Sequence, residues 1–187
     1  LLAEQGIVLD VAKRTAAIKE QVETLAKEQG AVARISPATL EENAQLVESP
    51  AAFVGSFAER FCRLPGEVLI SVMEKHLRLF PLLGKKGEVL PYFIGVRNGN
   101  RQHIEVVKAG YEKVITARFS DAEFFVGNDA GRKLEEFREP IKKLIFHAKV
   151  GSMFEKSERL ERLVEQLLQG PLQIAADLKL AKRAAFL

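Results

Sequence analysis

Phe80-Pro81-Leu82-Leu83-Gly84-Lys85-Lys86-Gly87-Glu88-Val89-Leu90-Pro91-Tyr92-Phe93-Ile94-Gly95-Val96 is the stretch on which the fold turns. Two apolar runs flank a lysine pair set between glycines, which is the pattern of a β-hairpin closed by a tight turn. Leu82-Leu83 reads as the first arm of the hairpin, residues 84–87 as the turn, and Glu88 to Val96 as the returning strand. Asn98-Gly99 marks a further turn. Working upstream, Ala52-Phe53-Val54-Gly55-Ser56-Phe57 reads as a strand, because Phe53, Gly55 and Phe57 share one face. Leu64-Pro65-Gly66 breaks that pattern. Val68, Leu69, Val72, Met73 and Phe80 then return at helical spacing and predict a helix over 67–80 that Pro81 closes.

The flanks read as helical. Val11, Ile18, Val22 and Leu25 recur at helical steps among charged residues and predict a long helix over 3–29, stopped by Gly30. Ser36-Pro37 starts a short helix through Leu40 and Leu46 that ends at Ser49-Pro50. Downstream, the pattern predicts one helix over 103–116 and a second capped by Ser120-Asp121, with Phe124 and Phe125 facing inward. Another is predicted over 132–147, where Pro140 fits only at a break or a first turn. A helix over 152–169 carries Phe154, Leu160, Leu163 and Leu167 on one side, and a final one begins around Leu172 after Gly170-Pro171. The fold class is α+β: a small antiparallel sheet with a hairpin, flanked by long helices, with a helical C-terminal third.

Charge narrows the partners. The 187 residues carry 28 basic and 25 acidic side chains, a formal +3. The excess is local, since residues 85–118 hold seven basic and three acidic side chains while residues 1–84 are net negative. A short cationic stretch of this kind steers polyanions, and also occurs in solvated loops. No apolar run reaches the roughly 18–20 residues of a membrane span, so no membrane partner is expected. Cys62, the one cysteine, builds no disulfide framework and fits a reducing cytoplasm. The chain starts Leu1-Leu2-Ala3 and stops on Ala184-Ala185-Phe186-Leu187, and both ends read as cut from something longer.

Motifs that carry chemistry are missing from the sequence. His76, His103 and His147 have no Cys, Asp or Glu partner at metal-ligand spacing, so no metal site is expected. Cys62, between Phe61 and Arg63 at the end of the strand, reads as a small core residue. The turn Gly95-Val96-Arg97-Asn98-Gly99-Asn100 lacks the Lys-Ser/Thr pair of a phosphate-binding loop. Phe119, Phe124, Phe125, Phe137, Phe146 and Phe154 match helix spacing and read as core rather than as a stacking platform. No catalytic residue is assigned.

An ordered series of motifs supplies what chemistry does not. Pro65-Gly66-Glu67-Val68-Leu69-Ile70, Met73, Phe80-Pro81 and Leu90-Pro91-Tyr92-Phe93-Ile94-Gly95-Val96-Arg97-Asn98-Gly99 resemble the β subunit of the bacterial two-subunit glycyl-tRNA synthetase. The resemblance continues through Gly110-Tyr111-Glu112-Lys113-Val114, residues 117–125, Leu144-Ile145-Phe146 and Val150-Gly151-Ser152, covering about 100 residues in the family's order. Departures from the family pattern are Glu74, Leu77, Leu79, Tyr111, Thr116 and Glu155. They replace polar groups and leave the apolar scaffold in place.

The resemblance implies a ligase in which an α subunit holds the glycine and ATP site, with ATP and magnesium bound there and no cofactor in this segment. It implies a heterotetramer with that α subunit, and glycine tRNA as the nucleic-acid partner. Residues 1–118 would end a B3/B4-like α+β region, and residues 119–187 would form a helical connector leading into an HD-type domain. The chain would stop before that domain's histidine and aspartates. Two functions stay open: a tRNA-binding and scaffolding segment, or a protein–protein docking module for the catalytic subunit or neighbouring domains. An editing hydrolase like the B3/B4 module of the phenylalanine enzyme has no clustered acid, base or nucleophile to run it. Any tRNA contact is expected at Lys85, Lys86, Arg97, Asn98, Arg101, Lys108, Lys113 and Arg118. Arg118 and Asp121 could instead form an i, i+3 ion pair.

Overall fold

The computed structural model describes residues 4, 6–170 and 176–187. It divides into two compact units, Leu1–Gly127 and Asn128–Leu187. In the first, helix α1 (Val11–Glu28) and helix α2 (Pro37–Leu46) are linked by the two-residue strand β1 (Val32–Ala33). Strand β2 (Pro50–Ser56), helix α3 (Gly66–Ser71), strands β3 (Phe80–Leu83) and β4 (Val89–Asn98) and helix α4 (Ile104–Ala130) follow. The sheet is antiparallel with strand order β1-β3-β4-β2. This is the α+β architecture the hairpin pattern predicts.

Both sheet faces are covered, and strand alternation sorts the residues between them. On one face Ala52, Phe80, Leu82, Ile94 and Val96 pack with Ile18, Val22 and Ala26 of α1 and Ala44 of α2. On the other, Phe53, Phe57, Leu79 and Phe93 pack with Phe61, Leu69, Met73 and the α4 residues Ile115 and Phe119. Burial on both faces is why β4 is apolar at consecutive positions rather than at alternate ones.

Local signals explain most of the boundaries. Gly30 takes φ +64, and its N–H donates to Lys27 at 2.9 Å, closing α1. Ser36 caps α2 through the Thr39 N–H, with Pro37 at the first helical position. The 84–87 turn is closed by the Gly87 N–H donating to the Gly84 carbonyl at 3.0 Å, with Gly87 at φ +82.

Several expectations are corrected. The first helix begins at Val11 rather than at residue 3, because the Asp10 side chain accepts from the Ala12 and Lys13 N–H groups and caps it. The helix expected over 67–80 is shorter: α3 passes into a π turn at Val72–His76 and stops, and Phe80 and Pro81 belong to β3. Arg78, at φ +55, turns the chain out of the helix. Cys62 lies half-buried in a 3-10 turn, Glu59–Arg63, rather than on a strand. The break at Ser120-Asp121 does not exist, because α4 runs unbroken from Ile104 to Ala130. Phe119, wedged against Phe57 and Phe61 at ring distances of 4.8 and 5.5 Å, anchors the helix where the capping signal would have ended it. Beyond Phe119 the helix leaves the core, so Phe124 and Phe125 are exposed instead of inward.

In the second unit, residues 132–147 are not one helix. They form 3-10 turns at Leu134–Phe137 and Pro140–Lys143 and then strand β5 (Ile145–His147), which pairs with β6 (Gly151–Ser152). Helix α5 (Met153–Gln169) follows as expected, capped by Ser152 and Glu155 in a reciprocal capping box. The last described helix is α6 (Leu178–Phe186). The start expected around Leu172 lies outside the described residues. The Arg138 guanidinium sits over the Phe154 and Phe186 rings at 4.5 and 3.7 Å and ties α5 to α6. Phe146, 47% exposed, and the half-buried Phe137 and Phe154 do not form a core of the kind expected, and no side chain described in this unit is fully buried.

Candidate nucleic-acid interface

The hairpin turn presents Lys85 and Lys86, both exposed, at one end of β4. The Lys86 backbone N–H donates to Glu88 Oε2 at 3.0 Å, which fixes the turn and leaves both ammonium groups in solvent. Arg97 and Asn98 sit at the other end of the same strand. Ten residues of strand at about 3.3 Å each put the two groups roughly 30 Å apart.

At that far end the polar groups do structural work as well. Asn98 Oδ1 accepts from the Glu48 and Ser49 N–H groups at 3.1 and 2.9 Å and pins the entry to β2. Arg97 Nη1 donates to the Gln102 carbonyl at 2.7 Å, holding the loop into α4, in which Arg101 stands exposed. Lys108, Lys113 and Arg118 lie on α4 at five-residue intervals. That spacing rotates each by roughly 140° from the last, so the three do not share a face. Lys113 and Arg118 are exposed and Lys108 is half-buried at the flank of the packed face.

The structure therefore divides the eight residues into a hairpin pair, a loop group and a dispersed helical set. Their charge is free all the same. Among the described residues none of the seven cations in 85–118 forms an ion pair, whereas Arg34, Arg60 and Arg78 pair with Glu74, Glu123 and Glu42. Arg118 makes no pair with Asp121. Glu112, beside Lys113 in sequence, is spent on β2: its Oε1 accepts from the Ser56 N–H at 2.9 Å and the Ser56 hydroxyl at 3.0 Å.

The family model described as glycyl-tRNA synthetase beta subunit matches residues 1–187. The chain belongs to that family. It is 39% identical over 184 residues to the glycine–tRNA ligase beta subunit of Oceanobacillus iheyensis, an overlap of 98% of this chain and 26% of that protein. The beta subunit of Psychromonas ingrahamii is 41% identical over 188 residues, 100% of this chain and 27% of its own length. That of Clostridioides difficile is 43% identical over 167 residues, 89% and 24%. The chain thus spans about a quarter of the length of these relatives.

Leu77, Leu79 and Tyr111, three of the positions expected to depart from the family pattern, come together in space. All three line one cavity that also takes in Arg97 and Asn98. Asn43 and Arg78 share this cavity, and no local signal in the sequence marks either. Arg78 reaches it only through its left-handed backbone, and Asn43 only through the packing of α2. Among the described residues no group of three or more His, Cys, Asp or Glu side chains could hold a metal ion, and no helix is long and apolar enough to cross a membrane.

Proposed function

We propose that this chain is a tRNA-binding and scaffolding part of a glycyl-tRNA synthetase β subunit, acting in the cytoplasm beside an α subunit that holds glycine, ATP and magnesium. On this reading glycine tRNA is the nucleic-acid partner and the assembly is a heterotetramer. Residues 1–118 end a B3/B4-like region, and residues 119–187 connect it to an HD-type domain. The observation that carries the reading is the set of seven unpaired cations in 85–118 within a chain of this family. Unpaired, solvated Lys and Arg release phosphate counterions on binding and supply affinity without sequence information.

The test is charge reversal at Lys86 and Lys113 in the complete two-subunit enzyme, since both are exposed and neither holds the fold. For every phosphate no longer neutralised, the salt slope of tRNA binding should fall by about 0.7–0.9 units. Unchanged affinity and unchanged salt dependence would favour the docking reading. That alternative has its own support: Phe124 and Phe125 are 64% and 61% exposed, and α5 turns Leu160, Leu163 and Leu167 partly to solvent.

A further inference from the structure

We propose that a cavity of about 310 Å³ beside the far end of β4 is a binding site for one nucleoside monophosphate unit. The inference deepens the tRNA reading for Arg97 and Asn98, and depends on that reading only for the source of the nucleotide. Its size sits at the low end of ligand sites. Five polar side chains line it: Asn43 from α2, Arg78 from the segment before β3, Arg97 and Asn98 from β4, and Tyr111 from α4. Leu46, Leu79 and Val107 supply apolar wall.

Asn43, Asn98 and Arg97 are held in place by bonds that use only part of their capacity, while Arg78 Nε donates to Glu42 Oε1. Asn43 is 4% exposed, and its Nδ2 donates to the Thr39 carbonyl at 2.9 Å and the Arg78 carbonyl at 3.0 Å. Its Oδ1 accepts nothing among the described residues. Asn98 spends Oδ1 on two backbone N–H groups and keeps its amide protons. Arg97 spends Nη1 and Nε on the Gln102 and Asn98 carbonyls, leaving Nη2. The Tyr111 ring packs at 5.3 Å on Phe53, and its hydroxyl is unengaged among the described residues.

What remains is a carbonyl acceptor, an amide donor and a hydroxyl above an apolar wall, with Nη2 of the Arg97 guanidinium beside them; the Arg78 guanidinium is paired with Glu42. A nucleobase needs alternating donors and acceptors at its edge and apolar contact on its faces, and its phosphate needs a guanidinium. Arg78 and His103 are the two non-glycine residues at left-handed φ among those described, +55 and +57. Arg78 lines the cavity, and His103 follows Gln102, whose carbonyl anchors Arg97. Strained backbone of this kind gathers at ligand clamps.

The experiment titrates the 187-residue chain with the four nucleoside 5′-monophosphates, ribose 5-phosphate and inorganic phosphate, following amide shifts by NMR. At least one nucleotide should bind tenfold or more tightly than phosphate and ribose 5-phosphate. Binding should weaken at least tenfold in Arg97→Gln and in Leu46→Trp, which closes the mouth from an exposed position. An unchanged spectrum elsewhere in each variant shows that it has folded. Displacement of the nucleotide by tRNA assigns the site to an RNA strand, and no displacement assigns it to a free nucleotide; either supports the proposal. No binding at millimolar nucleotide, or phosphate binding as well as any nucleotide, overturns it. Salt-dependent tRNA binding in the same samples shows independently whether the tRNA reading survives.

Discussion

Gly55→Ala probes the pairing at the centre of the sheet. In register, Phe53 faces Gly95 and Gly55 faces Phe93 across β2 and β4. Each ring lies flat over the opposite glycine: a Cβ on Gly55 would fall 2.2 Å from Phe93 Cζ, and one on Gly95 2.5 Å from Phe53 Cζ. Phe93 is fully buried with Leu69 and Met73 and has no room to withdraw. Neither glycine has positive φ, so the substitution meets no backbone strain. Overpacking a core by one methyl costs about 1–3 kcal/mol. Removing glycine's freedom in the unfolded chain returns about 0.4–1 kcal/mol. Steric cost wins, and Gly55→Ala should destabilise the chain by about 1–2 kcal/mol. With a urea dependence of about 1–3 kcal/mol per molar, the unfolding midpoint should drop by roughly 0.3–2 M. Combining it with Phe93→Leu should cost less than the two changes summed, because the shortened side chain accepts the new methyl. A midpoint that rises in Gly55→Ala would refute the reasoning, since entropy would then have outweighed the steric clash.

Arg14, 7% exposed, donates from Nε to the Ala44 carbonyl at 2.9 Å and from Nη1 to the Val8 and Leu9 carbonyls at 2.7 Å. Arg14→Met should lose about 2–4 kcal/mol in the same urea assay, because a charged donor goes and the buried Ala44 carbonyl is left unpaired. The Ser152 backbone N–H, and then its hydroxyl, hold the Glu155 carboxyl below its ordinary value of 4.5. Its contribution to the α5 cap is therefore complete above that value and is lost as pH falls through the lower folded one; Glu155→Gln should keep the cap and remove the pH dependence, read from the Ser152 and Glu155 amides by NMR. Burial, and then the Glu59 carboxylate, push the Cys62 thiol up. Iodoacetamide at pH 8 should alkylate it more slowly in the folded than in the unfolded chain, and Glu59→Gln should speed the reaction.

Several features decided by a residue and its near neighbours were legible in the sequence, although the Asp10 cap that starts α1 was not. Gly30 and Gly87 meet positive φ, and Ser36-Pro37 caps a helix with its own atoms. Family membership belongs here too, because it lies in the order of motifs along the chain. Tertiary structure decided what depends on partners distant in sequence. Phe80 fits a helical period and a strand equally well, and Phe93 and Ile94 of β4 place it in the sheet. Ser120-Asp121 is a sound capping signal that Phe119 overrides by packing on Phe57 and Phe61. The cations at 85–118 are adjacent in the chain yet split by the length of β4 and the pitch of α4. The cavity of Asn43, Arg78, Arg97, Asn98 and Tyr111 draws on residues far apart in the chain, because its lining was chosen by the register of the sheet and the seat of two helices upon it.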